Sequence, residues 1–297
     1  MNWKPNKWYA ATLAFLFPSM AMLYVNRPFF ACGYLLAFIL MAISEFWFIA
    51  IGPDIAATLM PLVFSIFAVV HAFRLAVTAS GTTARRWWTR WFGLLAAVGS
   101  FALGIALFRA FAYEPFRLPA GSMFPSMPRG SYVVVKKFGY GNYSTYGIQF
   151  IRKAITALIV RGDVVVFEFP PDRKISYVKR VIGLSEDHIE YKNKRVYLNG
   201  AAVTTSSIHK NSPFEILLEK TYQIAIDCSR ASQDFDIRVK LGHLFVLGDN
   251  RDNSNDSRQW GQVPYDHVIG KVVLTLAPPD ETPFALGWQR SAGCEEK

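Results

Sequence analysis

Three stretches of this chain carry residues whose types and spacing suit covalent chemistry. In Glu114-Pro-Phe-Arg-Leu-Pro-Ala-Gly-Ser122-Met-Phe-Pro-Ser-Met-Pro, a serine follows a glycine and is bracketed by Pro119, Pro125 and Pro128. Gly121 is expected to allow a tight turn and a close backbone approach, leaving Ser122 at an exposed apex. In Ser176-Tyr-Val-Lys179-Arg-Val-Ile-Gly, a strand would place Tyr177, Lys179 and Val181 on one face and Val178, Arg180 and Ile182 on the other. A lysine pressed into such an apolar surface loses its charge more easily, because burial disfavours the ammonium. Only the neutral amine can take a proton from a serine. Each feature has a plain alternative: serine in a Gly/Pro loop is a common turn residue, and lysine commonly guards strand edges.

The third stretch, Leu247-Gly-Asp249-Asn-Arg-Asp-Asn-Ser254-Asn-Asp256-Ser-Arg258-Gln-Trp-Gly, is the densest polar run in the chain. It is not a calcium loop, since neither register supplies the bidentate glutamate or the turn glycine. Its alternation of acids, amides and arginines suits a hydrogen-bonded wall around a site, with Asp256 and Arg258 able to pair and Ser254 able to orient an amine. The five histidines, at 71, 188, 209, 243 and 267, show no metal-ligand spacing, and there is no zinc motif, phosphate loop or dinucleotide fingerprint. No metal and no cofactor is expected.

Something must hold these segments, and the first third of the chain is of another kind. The chain has 297 residues, 52% of them hydrophobic, and the apolar ones crowd into the first 112 positions. Stretches at about 28–51, 53–73 and 91–112 are long enough at 1.5 Å per residue to cross a hydrocarbon core of about 30 Å. Tryptophans 3, 8, 47, 87, 88 and 91 stand where interfaces would be. The segment 74–90 carries Arg74, Arg85, Arg86 and Arg90 without an acid, which places it in the cytoplasm. Gly-Pro-Asp at 52–54 reads as an outside turn, and everything after Tyr113 is then outside. Residues 8–26 are read as a re-entrant or interfacial hairpin bent at Pro18, with a fourth complete span as the alternative. Residues 1–25 do not read as a cleavable leader, since Pro18 interrupts them and no small-x-small exit follows.

From residue 113 short apolar runs alternate with turn signals, which predicts a mostly antiparallel β domain over 113–297. Expected strands are 132–136, 164–169, 176–182, 188–192, 195–198, 244–247 and 268–276, with Asn199-Gly200 closing a hairpin and Pro170-Pro171-Asp172 breaking a run. Residues 138–147 read as turns, 148–160 as a short helix, about 185–240 as a more polar inserted lobe, and the residues from Ser291 on as a loose tail. Cys32 lies in an expected span, and Cys228 and Cys294 could pair in an oxidising compartment. The net charge of +10 is dispersed, with no basic block or nucleic-acid motif, so anionic lipid rather than nucleic acid is its expected partner.

The three segments, together with Arg161-Gly-Asp-Val-Val-Val-Phe between the serine and lysine segments, resemble in order the boxes of bacterial type I signal peptidases, from Glu114 to about Lys271. The resemblance implies a signal-peptidase-like β fold, shared with self-cleaving repressors, behind membrane helices. It implies an enzyme of the bacterial cytoplasmic membrane, multi-pass, with its catalytic domain on the extracytoplasmic side. There it would cleave exported preproteins after small-x-small motifs. Ser122 would be the nucleophile, Lys179 the general base, Ser254 an orienting group, Asp256 with Arg258 an ion pair, and Gly121 and Asp249 supports. Phe116, Leu118, Pro119, Ala120, Met123 and Val178 would line the substrate pockets. One position departs from the common pattern: Ala120 stands where a serine often adds its hydroxyl to the oxyanion hole. Secretory preproteins, membrane lipid and the export machinery are the implied partners. Two rivals remain at this level, a self-cleaving repressor-type peptidase, whose DNA-binding front end is absent, and a non-catalytic membrane scaffold, which would need none of Ser122, Lys179 and Ser254.

Overall fold

The structure, a computed structural model, describes residues 3–51, 55–80, 85–145, 147–206, 214–227, 229–231 and 234–276. The turn at 52–54, the Trp47 side chain, His209, Cys228, Cys294 and the tail from Ser291 lie outside the described residues. The chain divides into two compact units, Met1–Ile105 and Ala106–Lys297.

The first unit is helical: α1 (Lys7–Leu16), α2 (Pro18–Tyr24), α3 (Pro28–Ile51), α4 (Ile55–Thr78) and most of α5 (Trp91–Phe111). Asn6 caps α1, its side-chain oxygen accepting from the amides of Trp8 and Tyr9 at 2.9 and 3.2 Å. The break expected at Pro18 falls between α1 and α2, where Phe17 leaves helical geometry and proline starts the next helix without needing an amide partner. Ala10 and Ala14 of α1 and Ala68, Ala72 and Ala76 of α4 are buried together, and α1 packs on α4. Small residues four apart let two helix backbones approach closely. The large apolar side chains point the other way: Leu36, Leu62, Phe67, Leu95 and Leu103 are exposed. That inversion suits a lipid solvent. Among the described residues, Leu59–Thr78 and Trp91–Phe111 are long and apolar enough to cross a membrane, and Pro28–Ala42 forms a shorter apolar stretch. Helix α4 runs on to Thr78, so Arg74 lies in its last turns rather than in the loop where the charge pattern put it.

The second unit is β-rich. Its strands are β1 (Tyr113–Arg117), β2 (Tyr132–Lys136), β3 (Asn142–Thr145), β4 (Ile148–Arg152), β5 (Val164–Phe169), β6 (Asp172–Gly183), β7 (His188–Lys192), β8 (Arg195–Leu198), β9 (Ala201–Ala202), β10 (Thr204–Ser206), β11 (Phe214–Leu217), β12 (Lys220–Gln223), β13 (Phe235–Arg238), β14 (His243–Leu247), β15 (Val263–Pro264) and β16 (Val268–Leu276), with one short helix, α6 (Ser257–Trp260). The main sheet runs β1-β2-β16-β5-β6-β14-β15, all pairs antiparallel. Central strand β5 is buried on both faces, as its Val-Val-Val-Phe run implies. Val165 and Phe167 pack with Val181, Leu244 and Val246; Val164 and Val166 pack with Leu118, Met123, Val133 and Val135. The second of these clusters anchors the serine loop to the sheet.

Residues 188–238 form two further small sheets, β13-β7-β8-β9 and β10-β11-β12, whose side chains share a core with Ile182, Phe245 and Leu247. Asn199 and Gly200, at φ +52° and +82°, make the tight turn between β8 and β9. The short helix expected at 148–160 is absent: residues 148–152 are strand β4, paired with β3, and the rest is loop. The Ile-Gln-Phe-Ile run favours an extended chain, and β3 supplies the hydrogen-bond partners. Strand β3 likewise replaces part of the turn region expected at 138–147.

Candidate active site

Lys179 sits in the middle of β6, between β5, where it pairs with Val165, and β14, which pairs with its neighbour Arg180. It is only 4% exposed. As the strand alternation requires, it shares a face with Tyr177, whose ring centroid lies 5.4 Å from Nζ. Burial pushes the Lys179 pKa down to about 8; the negative charges of Asp256 and Asp249 oppose this, and Arg258 adds to it. Its Nζ lies 2.6 Å from the Ser122 hydroxyl oxygen, across 57 positions of sequence.

Ser122 is half-buried in the loop between β1 and β2. Buried Leu118 and Met123 fix the loop to the sheet, and the Gly130 amide donates to the Leu118 carbonyl at 2.7 Å. The loop is then gripped by the polar run: the Asn250 amide donates to the Ser122 carbonyl at 3.0 Å, and its side-chain nitrogen donates to the Gly121 carbonyl at 3.2 Å. The close approach expected of Gly121 occurs instead at Gly248. A Cβ on Gly121 would meet nothing within 4 Å, whereas one on Gly248 would lie 2.5 Å from the Ser122 carbonyl oxygen and 2.2 Å from the Ser254 Oγ. Gly121 borders the open cleft, where space is left for substrate.

The acids and arginines of the polar run are sorted into pairs. Asp256 takes two bonds from Arg258, at 2.8 and 2.9 Å, and accepts the Gly248 amide at 3.1 Å. Asp249 takes two bonds from Arg180, at 2.7 and 2.6 Å, so the residue after the lysine holds the residue after Gly248. Arg180 also lies over the Tyr222 ring, 3.9 Å from its centroid. Arg251 is wholly buried and paired through both terminal nitrogens with Glu215 of β11, which also accepts from the Tyr222 hydroxyl at 2.9 Å. Sequence reasoning missed Arg180, Tyr222, Glu215 and Gly248. Arg180 and Gly248 lay inside the noticed segments, but nothing local marked Glu215 or Tyr222, which reach the site only through the folding of the 188–238 sheets. Ser254, expected to hold the amine, has a buried hydroxyl with no hydrogen-bond partner in the structure; it lies against Gly248 rather than in hydrogen-bond contact with Lys179.

A cleft of about 440 Å³ opens over the dyad. Phe116, Leu118, Pro119, Ala120, Met123 and Val178 all line it, together with Tyr177, Asn253 and Asn255. His188, Glu190 and Asp236 come together elsewhere, on β7 and β13, with ligand atoms within 4.8 Å of one another, a grouping that histidine spacing did not reveal. Lys192 pairs with Glu190, and His188 lies 2.6 Å from Asp236, so the members of this half-exposed surface cluster already partner one another and a neighbouring lysine.

The family model for signal peptidase, peptidase S26, matches residues 88–277, almost two thirds of the chain. The chain belongs to the signal peptidase family. It is a serine endopeptidase that acts on signal peptides, and its relatives are named accordingly. Signal peptidase I of Pseudomonas fluorescens is 36% identical over 190 residues, which cover 56% of this chain and 66% of that one. Signal peptidase I of Pseudomonas aeruginosa is 35% identical over 205 residues, covering 59% and 69%. A crystal structure of a signal peptidase I from Enterococcus faecalis V583 is 29% identical and covers 39% of this chain and 98% of that one, with a TM-score of 0.30.

Proposed function

We propose that this signal peptidase cuts exported preproteins after small-x-small motifs by a Ser122–Lys179 dyad, working at the outer face of a bacterial cytoplasmic membrane. The observation that carries the reading is the 2.6 Å approach of a buried, readily neutralised amine to a serine hydroxyl at the floor of an apolar cleft. Once the amine is neutral, the Ser122 O–H donates its proton to Lys179 as Oγ attacks the scissile carbonyl. The ammonium so formed, close to Asp249 and Asp256, then protonates the leaving amine. A water activated by the same amine releases the acyl group. The oxyanion is received by the Ser122 amide without help from a side chain at Ala120.

An extended substrate can add beside the serine segment and β6, with Phe116, Leu118, Pro119, Met123 and Val178 forming shallow walls that admit small side chains. Asp256 with Arg258 and Asp249 with Arg180 keep the polar run in register with the dyad. Ser254, whose buried hydroxyl has no hydrogen-bond partner of its own, is the orienting group in this reading. Three spans, near α3, α4 and α5, with α1 and α2 as an interfacial hairpin, would place the arginines at 85, 86 and 90 in the cytoplasm and the peptidase unit outside. Export machinery is a natural source of substrate for such an arrangement.

Purified protein with a preprotein bearing an Ala-x-Ala site tests this. Ser122→Ala and Lys179→Ala should each abolish processing, and normal processing by either would defeat the dyad.

A further inference from the structure

Small side chains call for an apolar cleft, and most of this one is apolar. Its exception is Arg117 of β1. Of the described residues that line the cleft, Arg117 and Lys179 are the two that can carry charge, and none is an acid. Lys179 must be neutral to act as a base. The guanidinium does not lose its proton in a protein, so Arg117 is the fixed cation of the site. It is exposed, and no carboxylate among the described residues pairs with it.

Strand alternation decides which part of a substrate meets this charge. Phe116 and Leu118 turn inward, on to the cluster that holds Val133 and Val135. Arg117 between them turns to the opposite face, directly across from Tyr132 of β2, with its guanidinium carbon 5.8 Å from that ring's centroid. The face of an aromatic ring attracts a cation, so Tyr132 helps to keep the guanidinium at the rim of the cleft. A peptide strand laid beside β1 obeys the same alternation. When its first and third residues before the cut turn inward to Phe116, Leu118 and Val178, its second residue turns outward, on to the face that carries Arg117. Neighbouring side chains of opposite charge on one face of a sheet attract, and like charges repel.

We propose that Arg117 is a specificity-determining residue that reads the middle position of the small-x-small motif, favouring an acidic side chain there and disfavouring a basic one. The inference rests on the reading of the cleft as the small-x-small substrate site, and it adds a charge preference at the one motif position that the apolar walls leave open. An exposed cross-strand pair is weak, so kcat/KM for glutamate over glutamine at that position should differ by about two- to fivefold. Glutamate over lysine should differ by more, and both ratios should shrink as salt screens the pair.

The test uses the full chain in micelles of an uncharged detergent, where no lipid anion competes for the arginine. Its substrates are three preproteins that differ only in having Ala-Glu-Ala, Ala-Gln-Ala or Ala-Lys-Ala before the cut. The parent should cleave them in the order glutamate, glutamine, lysine. Arg117→Gln should level that order, Arg117→Glu should reverse it, and Arg117→Lys should keep it. Each ratio is taken within one enzyme, so a change in overall activity cancels. Equal rates on all three substrates in the parent overturn the inference while leaving the small-x-small reading intact. An order that persists unchanged in Arg117→Gln and Arg117→Glu also overturns it, since another group then reads the charge. A parent that cleaves none of the three overturns the reading of the cleft itself, and the role of Arg117 with it.

Discussion

Replacing Lys179 by methionine, which has a similar length and no charge, should inactivate the peptidase and stabilise it at neutral pH. In the folded chain the Lys179 pKa falls from 10.5 to about 8, chiefly through burial. Between those values the unfolded chain binds the proton and the folded chain does not, so stability rises with pH from about 8 to about 10.5. Below that window the fold carries the whole cost of a buried ammonium, about 3 kcal/mol at roughly 1.4 kcal/mol per pKa unit. Methionine removes that cost and also removes the contact with Ser122, worth about 1 kcal/mol. The net gain at pH 7 is then about 2 kcal/mol, and by pH 10 it should vanish or reverse. Thermal unfolding of the peptidase unit in micelles, followed by near-ultraviolet circular dichroism at both pH values, measures it.

The same pKa sets the rate. With a pKa of about 8, roughly one tenth of the amine is neutral at pH 7 and nine tenths at pH 9, so kcat/KM for a preprotein should rise about tenfold between them. A flat or falling profile, or a methionine variant less stable than the parent at pH 7, would refute the assignment of a charged, buried base.

Three further outcomes follow from the same geometry. Ala120→Ser should keep cleavage and leave kcat equal or higher, within the ~3 kcal/mol that one oxyanion donor contributes; loss of cleavage would show that the oxyanion is received elsewhere. Gly248→Ala forces a Cβ to within 2.5 Å of the Ser122 carbonyl oxygen, so processing should drop at least ~100-fold in a chain that still folds, as a shift of about 1 Å at the nucleophile implies. Asp249→Asn leaves buried Arg180 without its counter-charge and should destabilise the peptidase unit by about 3–5 kcal/mol. In whatever fraction folds, it should also move the kcat/KM midpoint below that of the parent, because Asp249 is one of the charges that raise the Lys179 pKa; unchanged unfolding would place Arg180 in contact with water.

Much of this protein was legible along the chain. Short apolar runs between turn signals marked Val164–Phe169 and Ser176–Ile182 as strands, Asn199-Gly200 marked its hairpin, and Pro18 marked the break between α1 and α2, because each rests on local geometry that a few neighbouring residues decide. Ser122, Lys179 and the Asp256–Arg258 pair were singled out because their residue types are chemically conspicuous where they stand. The helix expected at 148–160 failed because a short, mostly apolar run such as Ile-Gln-Phe-Ile is equally at home in a strand, and the choice fell to β3, its partner across the hairpin.

What only the tertiary structure decided is how the conspicuous residues are held and how strongly their chemistry is tuned. No local pattern could show that Gly248, rather than Gly121, is where two backbones meet, or that Glu215 and Tyr222 reach back to Arg251 and Arg180. Contacts between segments 36 and 69 residues apart depend on the whole sheet being built. The fall in the Lys179 pKa belongs to the same class, since a residue type cannot reveal its solvation. The sequence determined that a serine and a lysine were available; folding removed the water from around the lysine and set it 2.6 Å from the serine.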